Sequence, residues 1–112
     1  MMGAEACPAV VHMARGAVSV EVSGLLTERA PSYFLSFTAR GGQMLTIEPV
    51  KDPGIKWGAG VPIRFPGGKD GDAIDPGRPF KLPRTGTYTL DLHANTMADN
   101  PFGPFVVKIT IR

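Results

Sequence analysis

One cysteine in 112 residues, Cys7, rules out an internal disulfide, so stability must come from a packed core. The chain has two histidines, His12 and His93, far apart in the sequence. No His-x-His or His-x-x-x-His spacing exists to start a metal site. No apolar run approaches the ~20 residues of a bilayer-crossing helix. Met1 to Cys7 has no apolar core segment of the kind a signal peptide needs. Twelve Lys and Arg stand against ten Asp and Glu, a net charge of +2. The cations are scattered, without a basic stripe and interleaved aromatics, which argues against nucleic acid as a partner. No Gly-x-Ser-x-Gly elbow is present. Arg40-Gly41-Gly42 and Pro66-Gly67-Gly68-Lys69 lack the Lys-Ser/Thr and the helix that a phosphate loop requires. The chain therefore reads as non-catalytic, with no cofactor.

Abundant turn formers and alternating strands remain. Fourteen glycines and eleven prolines weaken helices and punctuate short extended runs. The most regular run is Gly86 to His93. It sets Tyr88, Leu90 and Leu92 on one face and Thr87, Thr89 and Asp91 on the other, the period of a half-buried strand. Ala17 to Leu26 alternates likewise through Val18, Val20 and Val22. Ser32 to Ala39 places Tyr33, Leu35, Phe37 and Ala39 together. Met44 to Val50 turns Leu45 and Ile47 inward, and Phe105 to Arg112 does so with Phe105, Val107, Ile109 and Ile111. Shorter strands are expected at Ala9 to Met13, Val61 to Phe65 and Phe80 to Leu82.

Arg40 to Gln43 joins two of these runs, so Ser32 to Val50 reads as a hairpin. Pro62 marks an edge strand. Pro66 to Pro79 is the longest irregular stretch, Lys51 to Gly60 is a long loop around Trp57, and one helical turn is expected at Asn95 to Asp99. The whole is an all-β chain of seven or eight short strands. It forms an antiparallel, jelly-roll-like β-sandwich over residues 9–112, behind a loose terminus at 1–8.

Three constellations could carry chemistry. His93 with Asp91 or Asp99 would suit a small hydrolase, although a surface role for His93 is the simpler reading. Asp70, Asp72 and Asp75 stand at spacings a calcium loop uses, but the distal bidentate Glu is missing, so a solvated turn is favoured. Trp57, Phe65, Phe80 and Phe102 lie beside Gly/Pro loops. They form either a contact surface or plugs for the open ends of the sandwich, and the plugs are favoured.

One family likeness emerges from the order of the motifs. Val11-x-Met13-x-Arg15-Gly16 leads to Val22-Ser23-Gly24. Tyr33 to Phe37, Ala39-x-x-Gly42-Gln43-x-Leu45, Thr85-Gly86-x-Tyr88-x-Leu90 and Phe105-x-Val107-x-Ile109-x-Ile111 follow. This series resembles the bacterial inhibitors of goose-type lysozyme and, more widely, the pre-peptidase C-terminal (PPC) β-sandwich domains. The resemblance implies a periplasmic or secreted protein without enzyme activity, whose loops block a lysozyme's glycan cleft. It implies contacts at Asn95, Thr96, Met97 and Asp99, and at Arg29 in the loop Thr27 to Pro31. A PPC-like accessory role with weak glycan or calcium binding is the alternative, and the chain would act as a monomer or a homodimer. The inhibitors bear arginines in a pattern like Arg-Asn-x-Ala-Arg where this chain has Asn95-Thr96-Met97-Ala98-Asp99. A tyrosine-rich loop of theirs is replaced here by Thr27 to Pro31.

Overall fold

Alternating side chains turn one face of most strands inward, and the nine strands of the described residues share one core. The computed structural model describes residues 8–11, 18–55, 60–67, 70–95 and 101–112. The strands are β1 (Ala9–Val10), β2 (Ser19–Leu26), β3 (Ser32–Ala39), β4 (Met44–Lys51), β5 (Val61–Arg64), β6 (Asp70–Ile74), β7 (Phe80–Lys81), β8 (Gly86–His93) and β9 (Gly103–Ile111). They form a five-stranded sheet, β1-β3-β8-β5-β6, and a four-stranded sheet, β2-β9-β4-β7. Pairing is antiparallel except between β1 and β3, which run parallel.

The inward faces are those the alternation marks. Tyr88, Leu90 and Leu92 are fully buried, as are Leu35, Leu45, Ile47, Phe105, Val107 and Ile109. Each such side chain removed from water contributes about 1.5–3 kcal/mol. Phe37 stacks on Tyr88 with ring centroids 5.5 Å apart, and Phe65 meets Tyr88 edge-on at 5.9 Å. Val20 and Val22 are only half-buried, because β2 is an edge strand, and Val18 lies exposed ahead of it.

Three expectations need correction. Ser32 to Val50 is not a hairpin: β3 and β4 belong to different sheets. The Arg40 to Gln43 turn is closed by the Gln43 N–H donating to the Arg40 carbonyl (3.2 Å), but it arches from one layer to the other. It is held from outside its own strands. The Gly42 N–H donates to the Leu82 carbonyl (2.7 Å), and the Gly41 N–H donates to Thr85 Oγ1 (3.0 Å). Turn chemistry fixes a reversal of the chain but not the sheet it returns to.

Pro62 does not mark a sheet edge, since β5 lies between β8 and β6. It is tolerated because β5 pairs with β8 only from Ile63 onward, so Pro62 meets a partner on one side alone. Pro49 in β4 is accommodated in the same way, because β7 reaches only Met44 and Leu45.

Pro66 to Pro79 is not wholly irregular. Its middle forms β6, which makes nine strands among the described residues and gives them their one hairpin between sequential strands, β5–β6. Asp70, Gly71 and Asp72 hide this strand from sequence reading because all three are poor strand formers. The helical turn expected at Asn95 to Asp99 lies outside the described residues beyond Asn95, as do Trp57, His12 and Cys7.

Candidate functional site

Because nearly every connection crosses between layers, loops collect at the two ends of the sandwich. One end gathers the β2–β3 loop and the described parts of the β4–β5 and β8–β9 connections. Their bases are tied to each other. The Ala94 N–H donates to the Pro31 carbonyl (2.7 Å), and the Asn95 N–H donates to the Gly54 carbonyl (2.7 Å). Ile55 and Ala94 form a β-bridge. Gly54 has φ +156°, and a Cβ there would lie 2.6 Å from Pro101 Cα, so only glycine allows these two loops so close. Asp52 braces the same loop: its Oδ1 accepts the N–H groups of Gly54 (2.9 Å) and Ile55 (2.7 Å).

Arg29 stands exposed at the tip of the first of these loops. The turn beneath it is closed by reciprocal backbone bonds between Thr27 and Ala30 (3.1 Å each) and by the Ala30 N–H donating to Thr27 Oγ1 (2.9 Å). Asn95 is half-buried at the root of the third loop. Thr96, Met97 and Asp99 lie outside the described residues. The fold thus brings Arg29 and Asn95 to one end of the molecule. It adds the Asp52–Ile55 segment, which sequence reading passed over. The Asp-Pro-Gly run at 52–54 was the available signal, since it is turn chemistry that stiffens a loop.

The other candidates disperse. Phe65, Phe80 and Phe102 are half-buried and pack against the core, the plugging role favoured from sequence. His93 accepts or donates a short hydrogen bond to Ser32 Oγ through Nδ1, a cross-strand pair at the ends of β3 and β8. Asp91 sits two residues earlier on the same face of β8, and strand geometry sets those positions about 6.6 Å apart. Asp70 and Asp72 belong to the edge strand β6 and not to a loop. Asp72 Oδ1 accepts the Ala73 N–H (2.9 Å), and Asp75 Oδ2 accepts from Arg78 Nη1 (3.3 Å). No cluster of three or more His, Cys, Asp or Glu able to hold a metal occurs among the described residues. No helix of the described residues is long and apolar enough to cross a membrane.

Two facing sheets with a braced set of loops at one end make a β-sandwich that presents loops on a rigid frame. No family model and no curated protein matches the chain. Solved structures do match it. The crystal structure of Salmonella Typhimurium PliG, a periplasmic inhibitor of g-type lysozyme, aligns with a TM-score of 0.68 at 20% identity, over 92% of this chain and 96% of that one. A mutant of the Escherichia coli inhibitor PliG aligns at 0.66 and 20%, over 93% and 96%. Aeromonas hydrophila PliG aligns at 0.58 and 20%, over 93% and 95%. The chain shares the fold of these inhibitors over more than nine-tenths of its length.

Proposed function

We propose that this is an exported, non-catalytic binding protein that inhibits a lysozyme of the goose type by placing its gathered loops in the glycan cleft. The observation that carries this reading is the fold likeness to periplasmic inhibitors over more than nine-tenths of both chains. The joined bases of the three loops support it, because a loop that must enter a cleft binds more tightly when it is held in shape beforehand. Arg29 at a loop tip suits a cleft that carries catalytic carboxylates. Asn95, Thr96 and Met97 would make the neighbouring contacts, with Asp99 as the member that opposes such a cleft.

The test is direct. Purified protein is mixed with goose-type and hen-type lysozymes, and the lysis of cell walls is followed. Inhibition of the goose-type enzyme alone is expected. Undiminished lysis by that enzyme at excess protein rejects the reading. The proposed function calls for no calcium. Millimolar Ca²⁺ is expected to leave the melting temperature unchanged, because a ligand held by Asp70, Asp72 and Asp75 in the folded state would raise it.

A further inference from the structure

The outer face of the five-stranded sheet contains a groove that the loop end does not use. Its cavity is about 290 Å³, and its walls include Phe34, Pro62, Arg64, Asp72, Thr89 and Asp91. The register explains why these residues meet. Phe34 on β3 is directly opposite Asp91 on β8, and Thr89 on β8 is opposite Arg64 on β5. Beyond β5, Pro62 is opposite Ala73, next to Asp72 on β6. The pairing of β5 with β6 shifts between Pro62 and Arg64. Such an irregularity bends a strand and re-aims its side chains, which turns a flat face into a hollow one. The face that alternation assigns to water therefore has a shape of its own.

We propose that this groove binds one ring of a neutral saccharide. The chemistry of the walls selects the ligand class. A metal ion would meet the Arg64 guanidinium, and a phosphate or sulfate would meet the carboxylates of Asp72 and Asp91. A hydroxyl group both donates and accepts, so neighbouring sugar hydroxyls are served by carboxylate acceptors beside a guanidinium donor. Thr89 adds a hydroxyl of its own. Phe34 is half-buried and gives the apolar C–H face of a sugar ring a flat surface to lie on. The volume is at the lower limit of the roughly 300–1,000 Å³ of small-molecule sites, enough for a single ring and too small for a large cofactor. The walls stand on paired strands, so little ordering is needed on binding.

This site is separate from the proposed lysozyme contact, because it uses a sheet face and not the loop tips. Isotopically labelled protein is titrated with tri-N-acetylglucosamine and with maltotriose, and amide shifts are followed by NMR. Saturable shifts centred on Phe34, Arg64, Thr89 and Asp91 are expected at millimolar concentration of at least one of them. Phe34→Ala should weaken binding about tenfold, which corresponds to about 1.4 kcal/mol. Asp91→Asn keeps the shape of the wall, and it should weaken binding similarly while lysozyme inhibition stays as in the unaltered protein. It decides the matter if Phe34→Ala does not fold. The proposal is overturned if neither sugar gives saturable shifts, if the shifts lie elsewhere, or if both variants bind as well as the unaltered protein.

Discussion

Gly24 has no room for a side chain. A Cβ there would lie 2.6 Å from the ring of Phe105 and 2.8 Å from that of Tyr33. Those two rings meet edge-on with centroids 5.1 Å apart, and Phe105 is fully buried. Gly24→Ala must push the pair apart, an overpacking cost of about 1–3 kcal/mol. A fall in the urea midpoint without a change in slope would show it. Tyr88 shows the opposite case, a polar atom that earns its place in the core. Its hydroxyl accepts the Arg84 N–H (3.1 Å) and donates to the Arg84 carbonyl, four residues upstream. This is the arrangement of a tyrosine corner, and it locks the turn at Arg84 to Gly86 to the strand that follows. Tyr88→Phe keeps the stacking on Phe37 and loses both bonds. Arg84 is exposed, so water can replace the hydroxyl, and the loss should be about 1 kcal/mol and not the larger cost of a stranded buried group. Equilibrium denaturation measures it.

At the scale of elements, β8 is the central strand of its sheet, paired with β3 on one side and β5 on the other. Its inward residues fill the space between the layers, so Leu90→Ala should cost about 2–5 kcal/mol. Thr89→Ala, on the outward face of the same strand, should change stability by less than about 0.5 kcal/mol. Equal losses at the two positions in thermal or chemical melts would contradict the assignment of faces. The two prolines in strands carry a related lesson. Pro49 and Pro62 each sit where the neighbouring strand on one side has stopped, so a missing N–H costs no ladder bond. Sequence rules read Pro62 as a sheet edge because proline reports only its own local pairing. Strand β6 was illegible for a different reason: Asp, Gly and Asp carry no strand preference, and the pairing with β5 alone makes them extended.

For the whole molecule, the arrangement of connections decides where recognition can occur. Among the described residues eight connections join nine strands, and only β5–β6 stays within a sheet. The crossings place Arg29, the Asp52–Ile55 segment and Asn95 together, although they are distant in sequence. In the proposed lysozyme contact Arg29 lies at the rim, where it should act on association rate more than on residence time. Arg29→Glu is expected to slow binding to goose-type lysozyme several-fold at low salt, with the difference shrinking as salt is added. Asp99→Arg should change the rate in the other direction. Surface-bound lysozyme and a stopped salt series would read both, and rates unaffected by either substitution would place the contact elsewhere.

The alternation of apolar and polar residues determined which side of each strand faces inward, because a pleat sends successive side chains to opposite faces whatever its neighbours are. Tyr88, Leu90, Ile109 and their counterparts could thus be assigned from the chain alone, and so could the all-β class. The partner of each strand was decided only in three dimensions. An arch between layers and a hairpin within one use the same turn residues. What separates Arg40 to Gln43 from a hairpin is the grip of Leu82 and Thr85, which no local pattern announces. The gathered loops and the hollow on the outer sheet both follow from those pairings.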